Sequence, residues 1–207
     1  MELLEIRLGS ARQVAQRWLY GEVLGLEVSD PADALTVQIG ASRLVFEPGP
    51  SSPQHFAIRI PSAAYADALG WLAERVELLV DGDGAQAFAF PDWNADAAYF
   101  RDPDRNVVEL IAHHDLPEPH GPPFGPGSML GVCEVGVPVD DVGAYLESLE
   151  RRTGAPRWSG DGVSFAAAGD KRGSLIVVRR GRVWYPTADA EATAGPLRID
   201  LGSAGVI

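Results

Sequence analysis

Residues 98–111 read AYFRDPDRNVVELI, two apolar and β-prone runs hinged on the polar stretch Asp102–Asn106, and predict two strands joined by a tight turn. Side chains alternate across a strand. Val108, Leu110 and Ala112 therefore share one face, and Glu109, Ile111 and His113 the other. Upstream, VELLVDG (76–82) and AQAFAF (85–90) add strand-like sequence. Before them HFAIRIPSAAYADALGWL (55–72) reads as a strand, a small turn and a helix, with Tyr65, Leu69, Leu72 and Val76 on one stripe.

The same order occurs twice more. EIRLGSARQVAQRWL (5–19) gives a strand and a helix with Val14, Trp18 and Leu19 inward, followed by LEVSD, ALTVQIG and SRLVFEP within 26–48. EVGVPVDDVGAYLESL (134–149) repeats it with Val142, Tyr145, Leu146 and Leu149, followed by GVSFAAAG, GSLIVVRRGR and PLRIDLG. Ser10, Ser62 and Asp140 or Asp141 stand at the expected N-caps. The fold class is α+β, built of strand–helix–strands units, each a small antiparallel sheet with a helix on one face. The units span 1–50, 51–115 and a divergent 129–207. The Pro/Gly-rich stretch 116–128 links the second to the third.

Parity sorts the faces. Leu4, Ile6 and Leu8 belong under a helix, which turns Glu5 and Arg7 the opposite way. Phe56, Ile58 and Ile60 likewise leave His55, Ala57 and Arg59 on the open face. The first strand of each repeat opens on an ionisable group there: Glu5, His55, Glu134.

VLGLEV (23–28), the strand–helix repeat and above all AYFRDPDRNVVELI resemble the vicinal oxygen chelate superfamily, which includes glyoxalases, bleomycin- and fosfomycin-resistance proteins and extradiol dioxygenases. The resemblance covers residues 1–114; the third copy matches in its strand–helix start. It implies tandem βαβββ modules with curved, antiparallel or mixed sheets, the first and second paired around a shared cavity. It further implies a divalent metal held from the first strand of each module and the last strand of the second, which places the ligands at Glu5, His55 and Glu109. Glu5 departs from the histidine or glutamine common there, and Arg105 replaces the glycine of DPDGN, so that turn is expected to differ locally. The place of a fourth ligand falls in SRLVFEP, where Glu47 is the only candidate. Tyr99 stands where fosfomycin-resistance relatives carry a tyrosine facing the ligand.

One imidazole and two carboxylates suit Mn, Fe, Co, Ni or Zn. Three protein ligands leave positions open for water and a chelating substrate. The expected activity is a metal-dependent reaction on a small, anionic, oxygen-chelating substrate, of lyase, isomerase or nucleophile-transfer type rather than ring cleavage. The alternatives are a metal-free binding or sequestering protein, in which the trio is a hydrogen-bonded group, and an assembly subunit with a vestigial site. Arg7 and Arg59 lie in phase with Glu5 and His55; they either grip an anionic substrate or balance nearby carboxylates. Strand-end His113 and His114 read as solvated and His120 as idle in the linker. Cys133 reads as a buried thiol on the helix side with Val135, and Glu134 as a salt-bridge or solvent contact.

The 207 residues are 46% hydrophobic and 22% charged, which fits a globular chain and excludes disorder and coiled coil. A net charge of −12 disfavours nucleic acid and anionic membranes. No apolar run approaches the ~18 residues of a membrane span, and no secretory signal is visible. A single cysteine excludes an internal disulfide and suits a reducing cytoplasm. Three modules in a fold that pairs them two by two leave the third either packed on its counterpart in a homodimer, the preferred reading, or serving as a lid on the metal cavity.

Overall fold

The computed structural model describes residues 1–116, 118–121 and 123–207; Pro117 and Pro122 of the expected linker lie outside the described residues. The elements begin with β1 (Glu5–Ser10), α1 (Gln13–Arg17), β2 (Val28–Ser29), β3 (Leu35–Ile39) and β4 (Ser42–Pro48). They continue with β5 (His55–Arg59), α2 (Tyr65–Ala73), β6 (Phe88–Phe90), β7 (Ala95–Arg101) and β8 (Val107–His113). Then follow β9 (Gly131–Val139), α3 (Val142–Thr153), β10 (Arg157–Gly160), β11 (Phe165–Asp170), β12 (Gly173–Arg179) and a final β13 (Leu197–Asp200). The succession of strand, helix and three strands occurs three times, but not with all the expected strands: 76–82 contributes only an isolated bridge at Leu78, β10 supplies the first strand after α3, and the PLRIDLG stretch becomes β13 beside β1 instead of closing the third unit.

The sheets are assembled differently from the expected pairing. Five strands form one sheet in the order β13-β1-β4-β3-β2, and eight form the other in the order β10-β11-β12-β9-β5-β8-β7-β6. β5 runs antiparallel to β9, so the second and third units, not the first and second, share a sheet. The edge of β1 that would meet a second module is occupied antiparallel by β13. Alternation in a sequence reveals which face a residue takes, but not which strand edge finds a partner. The third module is therefore paired within the chain, which removes the sequence argument for a dimer through it.

Local departures have local causes. Val14 and Trp18 are exposed, 86% and 61%, instead of buried. α1 gives way after five residues to a single π-helical turn, Trp18–Val23, whose extra residue per turn rotates the stripe. Leu19 faces inward as expected, joined by Gln16, Tyr20 and Leu24. Ser10 and Ser62 do not cap: no side chain caps α1 or α2. Asp141 does cap α3, accepting from the Ala144 amide at 2.9 Å. α3 buries Val142 and Leu149, and Tyr145 and Leu146 pack against the same core. The β5–β9 ladder slips between Ala57 and Ile58. This bulge reverses the parity of Cys133, which is buried on the cavity side with Ala57 and Ile176 rather than under the helix.

The apolar faces of both sheets and the helices form one continuous core, from Ile6 and Phe46 through Ile58 and Leu110 to Leu175. A buried polar cluster bolts the first unit to the DPDRN turn. Asp102 accepts from Gln16 Nε2 (2.9 Å), the Tyr20 hydroxyl (3.3 Å) and Asn106 Nδ2 (2.7 Å). Asp104 accepts from Ser10 Oγ, the Ala11 amide and Gln16 Nε2. Arg105 takes φ +68°, so the turn keeps the left-handed conformation that glycine would supply. The expected local difference at this position is thus one of strain, not of shape. No helix is long and apolar enough to cross a membrane among the described residues.

Candidate metal centre

Register on three neighbouring strands creates the site. Ala57 at the middle of β5 lies opposite Glu109 of β8 on one side and Glu134 of β9 on the other. Residues paired across a ladder point to the same face, and a residue two positions along its own strand does too. His55, two before Ala57, therefore joins both carboxylates, and the small Ala57 side chain leaves the space between them open. His55 Nε2 stands 3.5 Å from Glu109 Oε2 and 3.9 Å from Glu134 Oε2. Among the described residues these three offer donor atoms within 4.8 Å of one another, all buried.

The electrostatics are those of a site lacking a positive centre. His55 Nδ1 lies 3.1 Å from the Val107 carbonyl. A carbonyl only accepts, so Nδ1 carries the hydrogen and neutral His55 turns its Nε2 lone pair toward the carboxylates. Burial lowers the His55 pKa against the pull of Glu109. Burial also pushes Glu109 up to about 8, with Glu134 adding to the shift, and pushes Glu134 up to about 8 by itself. Glu134 Oε1 is buried without a hydrogen-bond partner. Buried lone pairs facing one another are costly. A divalent cation among them satisfies all three, and two donors bonded at ~2.1 Å to one ion stand roughly 3–3.5 Å apart. The His55–Glu109 spacing meets that range and Glu134 lies just outside it. The residues fit the divalent metal that the sequence resemblance implies.

The residues named from sequence divide between places. His55, Glu109 and Tyr99 line one cavity, with Tyr99 directly across the ladder from Glu109. Tyr99 is buried, and its hydroxyl is held protonated well above the usual range by burial and by the Glu109 charge. Glu5 does not join them. It lies on the other sheet and is gripped by Arg7 Nε at 2.6 Å and Arg43 Nη2 at 3.0 Å. Arg7 also meets Glu47 at 3.0 Å, so both carboxylates are engaged by arginines on the first sheet. Arg59 pairs with Glu118, which Arg172 meets at 3.1 Å; it is absent from the cavity lining. His113 is buried against the Trp93 carbonyl rather than solvated, and His114 pairs with Asp96.

The cavity, about 260 Å³, has a His–Glu–Glu floor and aromatic walls: Phe90, Trp93, Tyr99, Phe165, Trp184 and Tyr185. Sequence reasoning set Glu134 aside, although its position as first residue of its repeat was the signal. Trp184, Tyr185 and Arg182 carried no periodic signal because they sit in an irregular hairpin. Trp184 packs on His55 with ring centroids 5.5 Å apart and donates Nε1–H to the Pro53 carbonyl at 3.2 Å. Gly136 makes room for it: a Cβ there would meet the indole at 2.5 Å.

No family model matches the chain, and no curated protein does. A solved structure from Bacillus subtilis subsp. subtilis str. 168, described as a candidate dioxygenase, superposes with a TM-score of 0.65 at 15% identity, covering 95% of this chain and 68% of that one. The lactoylglutathione lyase of Agrobacterium tumefaciens gives a TM-score of 0.43 at 20% identity, over 53% of this chain and 92% of that one. A glyoxalase/bleomycin resistance protein/dioxygenase from Nocardioides gives 0.45 at 18% identity, over 59% and 90%. At such identities the likeness is one of architecture: the chain has the glyoxalase-like, vicinal oxygen chelate fold.

Proposed function

We propose that the chain is a divalent-metal-dependent enzyme of the vicinal oxygen chelate type, acting on a small oxygen-chelating substrate. His55, Glu109 and Glu134 hold the ion, one of Mn, Fe, Co, Ni or Zn by the nature of the donors. The observation that carries this reading is the buried convergence of three electron-pair donors, with Glu134 Oε1 unpartnered. When bound, the ion supplies Lewis acidity to two adjacent substrate oxygens. The chain's own groups do the rest. The aromatic walls exclude water and hold a flat substrate, Val107 fixes the His55 tautomer, and the Tyr99 hydroxyl keeps a proton beside Glu109. An imidazole with two carboxylates departs from the two-histidine, one-carboxylate set of oxygen-activating iron, which favours a lyase, isomerase or nucleophile transfer over ring cleavage.

A second reading draws on the six aromatic side chains around two carboxylates. Such a box also suits a metal-free protein that sequesters a flat cation. Elemental analysis of protein purified without chelator separates the two. One equivalent of divalent metal in the parent, lost in His55→Ala, supports the enzyme. A metal-free parent, or metal retained in His55→Ala, overturns it in favour of the binder. We place the protein in a reducing cytoplasm, where Cys133 stays a thiol.

A further inference from the structure

We propose that Arg182 recognises an anionic group on the ligand, so that the substrate is a small flat molecule with adjacent oxygens at one end and a carboxylate or comparable anion at the other. The inference rests on the reading of the cavity as the ligand site. Arg182 belongs to the hairpin that covers the cavity, and its backbone is fixed there. Gly181 N–H donates to the Ala192 carbonyl at 2.9 Å, Ala192 N–H to the Arg182 carbonyl at 2.8 Å, and Trp184 N–H to the Ala190 carbonyl at 2.8 Å. The guanidinium lies over Phe165, 5.3 Å from the ring centroid, and both residues line the cavity.

Its charge is not answered by the protein. Arg7, Arg59, Arg101, Arg105 and Arg172 each meet a carboxylate. The hydrogen bond of the Arg182 guanidinium is to neutral Ser164 Oγ, long at 3.5 Å, and no ion pair includes it among the described residues. The nearby acid Asp161 spends its oxygens on the Val163, Ser164 and Phe165 amides and on Ser164 Oγ. A planar guanidinium held against an aromatic wall is a ready fork for a carboxylate. With a divalent ion neutralising the two glutamates below, the floor no longer repels an anion at the mouth.

The test uses Zn²⁺-loaded protein and two probes, benzohydroxamate, a two-oxygen chelator on an aromatic ring, and its 4-carboxylate derivative. Affinity is read by calorimetry and by quenching of Trp93 and Trp184. The carboxylate derivative is expected to bind the parent about tenfold more tightly. In Arg182→Gln that advantage falls to within about twofold while benzohydroxamate is unaffected, and Arg182→Lys keeps part of it. No advantage in the parent, or an advantage that survives in Arg182→Gln, overturns the proposal. If Zn²⁺ does not bind, it is the metal reading that fails. The Arg182 role is then decided on metal-free protein with benzoate against benzamide: a preference for benzoate lost in Arg182→Gln sustains it, and no preference overturns it. The Arg182 side chain is exposed, so these variants leave the fold intact.

Discussion

Glu134 Oε2 lies 3.9 Å from His55 Nε2 across the seam between β5 and β9. Both side chains come from the first strand of a repeat, and both strands offer the same face because their ladder is antiparallel and in phase at Ala57. The seam, not the order of repeats along the chain, decides which of the three first-strand groups meet.

A pair of charge-removing substitutions checks that assignment. Glu134→Gln should weaken Zn²⁺ or Mn²⁺ binding beyond the ~10–100-fold that loss of an outer-shell partner costs. Glu5→Gln should leave it unchanged, since Glu5 already answers Arg7 and Arg43. Titration by calorimetry measures both, and an equal effect of the two variants would contradict the placement.

The metal-free protein should lose stability as pH rises. Glu109 and Glu134 have folded pKa values raised to about 8 from 4.5. Between those values the native state holds more protons than the unfolded one, so the unfolding free energy falls with pH through that window and levels off above it. A divalent ion, binding the deprotonated carboxylates, removes the loss. Thermal melts at pH 6 and pH 8 should therefore show a larger metal-induced rise at pH 8. An equal rise at both would refute the linkage.

Arg105→Gly should stabilise the chain. Arg105 holds φ +68°, a conformation costing a non-glycine residue ~1–2 kcal/mol, against ~0.5–1 kcal/mol of added unfolded-state freedom for glycine. The ion pair lost to Asp189 is exposed and worth little. Denaturant unfolding should shift upward by about 0.5–1 kcal/mol, and a downward shift counts against strain at this turn.

Gly136→Ala should disturb the cavity without touching a donor. The added methyl meets the Trp184 ring at 2.5 Å and the His55 carbonyl at 3.3 Å. Overpacking of this kind costs about 1–3 kcal/mol. The tryptophan emission should change and ligand affinity fall while metal content stays at the parent level; unchanged emission would mean that Trp184 is not seated there.

What could be read from the residues, and what could not, follows from the physics of each signal. Alternation along NVVELIAHH turns Glu109 to the open face, and the same parity gives His55, because hydrophobic period is a local property; Tyr99 is reached through the resemblance alone. Glu5 and Glu134 satisfy that parity equally well. The choice between them is made by the β5–β9 ladder, which brings Glu134 beside His55, while β1 stands in the other sheet with β13 along its edge. The faces of α1 and of Cys133 differ from the expected ones for a related reason. One inserted residue, in a π turn or a bulge, reverses or rotates a face without any compositional trace. Arg182, Trp184 and Tyr185 enter the cavity from a hairpin held by a few backbone bonds, where no periodicity exists to be read.

The antiparallel seat of β13 along β1 has a bearing on solubility. A strand whose amides and carbonyls face solvent is a template for other chains, and β1, rich in apolar side chains on one side, would be an adhesive one. Four residues, Leu197–Asp200, act as a selvedge that keeps the smaller sheet from unravelling into its neighbours, so damage confined to that short strip would be felt first as clumping rather than as lost chemistry.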